Sequence, residues 1–162
     1  MTDLEPSQVL LRLRELQRVD LTANATQTIR AGGKAGRQES HKLALLDLNR
    51  DFEQYFVAAS VLALGLNSTQ AKKIRYKKDR VRIFKAHGVD YMAIDGAETA
   101  QVLAQIAQAI EFEDAIVTQG LHDIFPYWKE GFPMVQLDNA YKILAEDIQL
   151  HYEQVLQRFA QL

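Results

Sequence analysis

The chain has 162 residues, 48% of them apolar and 25% charged, with no cysteine and a net charge of −2. That length suits one domain burying about two thirds of its unfolded surface without staples, and the lack of cysteine excludes disulfide scaffolds and thiolate metal sites and fits a reducing, cytoplasmic setting. The opening MTDLEP carries two acids and no apolar run, so no secretory signal is expected, and the longest nearly unbroken apolar stretch, residues 55–66, falls short of the roughly 20 residues of a membrane span.

Taken in chain order, Val9, Leu13 and Leu16 recur at helical spacing after Pro6, which predicts a helix from about residue 4 toward residue 30. AGGKAG ends it, because three glycines in five positions lose too much backbone freedom to sit in a helix. Residues 31–37 thus read as a flexible, Gly-rich connector; they lack the spacing and the preceding strand of a phosphate loop. Leu45, Leu48, Phe52, Tyr55, Ala59, Leu62 and Leu66 then alternate steps of three and four, the stripe of a helix, and from Tyr55 onward the other faces are apolar too. This predicts a central helix covered on more than one side.

Gly65 and Asn67 are expected to stop that helix, Ser68 to cap a basic helix over about 68–87, and Gly88 to end it. DGAE, residues 95–98, has capping-box spacing, and Leu103, Ile106 and Ile110 carry a further helix to about residue 119. An aromatic loop with two prolines covers about 120–133. The last helix shows Leu137, Tyr141, Leu144, Ile148, Tyr152, Val155 and Phe159 in one stripe. With no strand-like alternation and no internal repeat, the expectation is an all-α, single-domain helical bundle of four to five long helices over 1–162.

The net charge conceals a partition. Residues 1–71 sum to 0, residues 72–88 hold eight bases and Asp79 for +7, and residues 89–162 sum to −9. A basic middle of this kind is the electrostatic footprint of an anionic partner, most simply nucleic acid. The bland alternative is that these heads face solvent or pair with the acidic carboxyl-terminal half. SVLALGLNSTQAKKIRYK, residues 60–77, resembles the helix-turn-helix signature, with Gly65 at the turn, Leu66 after it, Ser68 two further on and Ile74 facing inward, and departs from it at Val61 and Ala71. The resemblance implies that Thr69, Gln70, Lys72 and Lys73 lie near base edges while Arg75, Lys77 and Lys78 hold phosphates. From the charge of the segment alone, Arg80, Arg82 and Lys85 are added to the expected nucleic-acid-binding residues.

Other motifs carry chemistry in other families. RIFKAH matches the R-x4-H pattern of the HEPN ribonucleases, and that resemblance implies metal-independent RNA cleavage by Arg82 and His87. His122 and Asp123 resemble the metal-binding dipeptide of HD phosphohydrolases, though a loop His beside an Asp is more often a local hydrogen bond. Asp147 and His151, one turn apart, have the spacing of a shared metal or of a surface pair. No metal and no cofactor is expected. Phe125, Tyr127 and Trp128 in the aromatic loop are candidate protein contacts, for which Trp and Tyr supply area at low entropy cost, and Trp128 is alternatively core. The expected function is therefore non-enzymatic binding of nucleic acid through the basic helix within a larger assembly, without membrane involvement. The rivals are a protein adaptor or assembly subunit docking an acidic protein surface or further copies of itself, and the HEPN-type ribonuclease.

Overall fold

The computed structural model describes residues 4–162, which form eight α-helices, one 3-10 turn at Tyr91–Ala93 and no strand. In chain order they are α1 (Pro6–Gln17), α2 (Ala23–Gly32), α3 (Arg37–Leu64), α4 (Ser68–Lys73), α5 (Lys77–Ala86), α6 (Ala97–Phe112), α7 (Gln119–Ile124) and α8 (Leu137–Ala160). No described helix is long and apolar enough to cross a membrane. The all-helical expectation holds. The expected set of four to five long helices does not describe the chain, because only α3, α8 and α6 exceed fifteen residues.

α3 is the centre, with α1, α2, α6 and α8 packed on it. Of the predicted stripe, Leu45, Leu48, Phe52, Ala59 and Leu66 are buried while Tyr55 and Leu62 are half-buried, and Phe56 joins the core because this half of the helix is apolar all round. Gly65 ends the helix in the left-handed region at φ 64°, a conformation that costs a residue without Cβ little. All seven residues of the predicted α8 stripe are buried. The start of α8 is held from outside: the Gln38 side chain of α3 accepts from Leu137 N at 2.8 Å and donates to Asp138 at 3.1 Å, which satisfies an amide that a helix start leaves orphaned.

Several boundaries differ from the sequence expectation, and the start of the expected aromatic loop is helical as α7, where the Thr118 side chain caps the turn by accepting from Leu121 N. The first helix breaks after Gln17, because Asp20 Oδ1 draws the Thr22 amide at 2.9 Å and competes with the helical ladder. Gln149 of α8 fixes this link by accepting from Leu21 N and donating to the Val19 carbonyl. The connector after α2 is shorter than expected, since α2 continues to Gly32 and α3 begins at Arg37. α6 has no capping box: its N-cap is Gly96 at φ 84°, and it ends at Phe112, seven residues early, where Asp114 and Ala115 take positive φ. A Cβ on Gly96 would come within 2.7 Å of His151 Cβ, so the small residue there lets the chain lie directly on α8.

Candidate nucleic-acid interface

The basic segment is two helices. α4 opens on a reciprocal box in which Asn67 Oδ1 accepts from Gln70 N at 2.8 Å and Gln70 Oε1 accepts from Asn67 N at 3.0 Å, so Asn67, not Ser68, is the cap. The Gln70 carboxamide oxygen is thereby committed to the cap. α4 stops at Lys73 and α5 starts at Lys77. In one uninterrupted helix Ile74 and Ile83, nine positions apart, would point about 180° from each other. The break at residues 74–76 lets both face the core together with Phe84, which stacks on Phe56 and meets Phe159 at a tilt.

Arg80 holds this break. Its Nε donates to the Ile74 carbonyl at 2.7 Å, its Nη1 donates to Tyr91 Oη at 3.2 Å, and its guanidinium lies 4.4 Å from the centre of the Phe56 ring. Only 5% exposed, Arg80 does not join the solvent-facing cations that the sequence grouped it with. The Tyr91 hydroxyl in turn donates to His151 Nε2 at 2.7 Å, and His151 Nδ1 donates to the Asp95 carbonyl at 2.7 Å. Burial pushes the His151 imidazole down to about 4, with the nearby Arg80 charge adding to the effect against the Asp95 hydrogen bond, so the ring is neutral in the folded protein. His151 is therefore core, whereas Asp147 is exposed; the two do not form a surface pair or a joint metal site.

The remaining cations differ from Arg80. Lys72, Lys73, Arg75, Lys77, Lys78 and Lys85 are all exposed, as is Thr69. Among the described residues the ion pairs are Arg37–Asp138, Lys42–Glu39, Arg50–Asp47, Arg50–Asp51 and Arg82–Asp79, so none of these six cations contacts a carboxylate. Burial raises the pKa of Glu53 in α3, and the fields of Arg75 and Arg80 counter only part of that rise. Tyr76 stands between these cations and is 69% exposed. α4 spans six residues, fewer than two turns, a short counterpart to the recognition helix that the helix-turn-helix resemblance implies.

Arg82 is tied to Asp79 at 3.1 Å, and His87 Nδ1 donates to the Ile83 carbonyl at 3.0 Å. Five positions apart on a helix, two side chains leave about 140° apart, so the structure does not converge this pair on one point. His122 is likewise engaged locally, donating from Nδ1 to the Trp128 carbonyl at 2.7 Å. No group of three or more His, Asp or Glu residues is placed to hold a metal among the described residues. The aromatic loop wraps around Trp128, which is 5% exposed, packs edge-on against Phe125 and donates from Nε1 to the Val135 carbonyl at 2.9 Å. Trp128 is thus removed from the candidate contact surface and Phe125 is half-buried, which leaves Tyr127, 85% exposed.

The Arg80–Tyr91–His151 chain is the feature that sequence reasoning missed. Nothing in a run of lysines and arginines marks the one that turns inward. Compared with protein families, curated proteins and solved structures, the chain gives no match.

Proposed function

We propose that the protein binds nucleic acid through the exposed ridge of α4 and α5, by contacts to the phosphate backbone, as a non-enzymatic member of a larger cytoplasmic assembly. The observation that carries this reading is the set of six exposed cations that form no ion pair among the described residues, with the exposed Tyr76 among them along the segment. Phosphates supply the missing counter-charge, and Tyr76 offers a face on which an unpaired base stacks. Local energetics support the same reading. Lys77 and Lys78 occupy the first turn of α5, where the helix dipole disfavours cations by a few tenths of a kcal/mol, and only Asp79 offsets them. A local rule broken on the surface points to a requirement other than folding.

Retention on single-stranded DNA or RNA at low salt tests the proposal. If all six cations meet phosphates, log K falls against log salt with a slope of about −4 on a single strand. Changing Lys72, Lys73, Lys77 and Lys78 to Glu abolishes binding without lowering the melting temperature, because all four are exposed. No retention at low salt discards the reading. The adaptor alternative draws on the exposed Tyr127, Phe132 and Val135 of the loop before α8, and separates by co-purification with a protein that persists after nuclease treatment.

A further inference from the structure

A second surface lies beside the basic ridge. A groove of about 520 Å³ runs between the start of α6, α7 with its following loop, and the first half of α8. Its floor is apolar, from Val102, Ile124 and Leu144, and its walls leave Tyr127 85%, Ile143 59% and Met92 36% exposed. Three carboxylates line it: Glu98, Asp123 and Asp147, one from each bounding helix. None takes part in an ion pair among the described residues, and together they are not placed to hold a metal. The one cation in the lining is Lys77, from the first turn of α5. An apolar trough whose three carboxylates outnumber its one cation calls for a segment that brings both an apolar side chain and further cations. The chain carries such a segment in Lys72, Lys73, Tyr76 and Lys78, exposed and unpaired.

We propose that the groove receives the basic ridge of a second copy of the chain, so that two copies pair about a two-fold axis beside Lys77. In this arrangement Tyr76 of each copy lies on the apolar floor of the other, and its flanking lysines face Glu98, Asp123 and Asp147. Two-fold closure follows from adjacency. Because Lys77 belongs both to the ridge and to the groove rim, rotating one copy about that border sets each ridge over the other's groove at once. Complementary patches at opposite ends of the molecule would instead build open chains. The pairing goes beyond the nucleic-acid reading and does not require it, but it uses the same lysines, so self-association and nucleic-acid binding exclude one another.

Sedimentation velocity on the nuclease-treated, nucleic-acid-free chain tests the pairing. The expected result is a closed dimer at low salt whose dissociation constant rises about tenfold or more between about 0.05 and about 0.5 M salt, since exposed pairs are screened. Asp123→Lys with Asp147→Lys, and separately Lys73→Glu with Lys78→Glu, change exposed residues only. Each doubly reversed protein alone is expected to be a monomer, and an equal mixture of the two is expected to form a heterodimer, because one contact then pairs a reversed groove with a reversed ridge and the other pairs an unaltered ridge with an unaltered groove. A wild type that stays monomeric at every concentration overturns the proposal and leaves the groove to a basic segment of a different protein. Dimers that survive reversal of the groove, open polymers, or a mixture that stays monomeric overturn it equally, and the salt series on the wild type decides the matter should a variant fail to fold. Failure here is distinguishable from failure of the nucleic-acid reading: the groove-reversed protein keeps its ridge and is still retained on DNA or RNA if that reading holds.

Discussion

His151 is the residue whose burial has the clearest thermodynamic consequence. Unfolded, an imidazole takes up its proton near pH 6.5, whereas inside the core burial lowers that point to about 4. The unfolded chain thus binds a proton that the folded chain refuses as pH falls from about 6.5 to 4. Stability from this residue is complete above pH 6.5 and is lost as the pH drops, by about 2 to 3 kcal/mol between pH 7 and pH 4.5. Urea titrations at those two pH values on the wild type and on His151→Asn check this. The variant is less stable at pH 7, having lost the Tyr91 and Asp95 hydrogen bonds, and its loss on acidification is smaller than the wild type's by that amount. An equal acid loss in both proteins would mean that other groups carry the pH dependence.

At the scale of elements, the short helices exist because one long one could not satisfy the core. α4 and α5 each hold part of the same basic run, and their separation brings Ile74, Ile83 and Phe84 inward together. What stabilises the separation is Arg80, which reaches back to the carbonyl that α4 leaves open and lies against Phe56. No carboxylate forms an ion pair with it among the described residues; a carbonyl, a phenol and a ring face meet its buried charge through hydrogen bonds and quadrupole attraction, with Glu53 acting from farther away. Arg80→Ala removes the stem, both donors and the stacked guanidinium, and is expected to cost about 3 kcal/mol or more in chemical denaturation. Lys78→Ala, two positions away and exposed, is expected to change stability by less than about 0.5 kcal/mol. Comparable losses at both positions would show that Arg80 does not act as the internal brace. α8 illustrates the opposite case, a helix whose seven-residue stripe needs no rearrangement to be buried and whose first amide is capped by a neighbour, Gln38.

Charge is unevenly placed over the whole molecule: exposed cations follow one another along α4 and α5, and one of them, Lys77, also lines a groove with Glu98, Asp123 and Asp147. Lys72, Lys73, Lys77 and Lys78 form no ion pair with Glu98, Asp123 or Asp147 among the described residues, so long-range attraction remains available to something outside the chain. If both proposed contacts exist, a nucleic-acid strand competes with the second copy for the same lysines. Adding a short single-stranded oligonucleotide to the dimer at low salt should then yield one chain per complex with half the protein mass of the dimer, as read by sedimentation or light scattering. A ternary complex that retains two chains would place the two contacts on different surfaces.

Much of this architecture is legible along the chain. The helical class, the central place of α3, the stop at Gly65 and the buried face of α8 follow from spacing and glycine placement, because those properties depend on residues within a turn or two of each other. The breaks at residues 18–22 and 74–76, the inward turn of Arg80, the buried histidine of α8 and the burial of Trp128 depend on partners contributed by distant segments: Gln149 for the first break, Phe56 and Tyr91 for Arg80, Asp95 for His151, and Val135 for the loop. The amino-acid order by itself determined how much charge and apolar surface each segment carries and its helical period. Only the tertiary structure decided which of those side chains meet water, since that choice belongs to the neighbours packed against them and leaves no periodic trace in the segment itself.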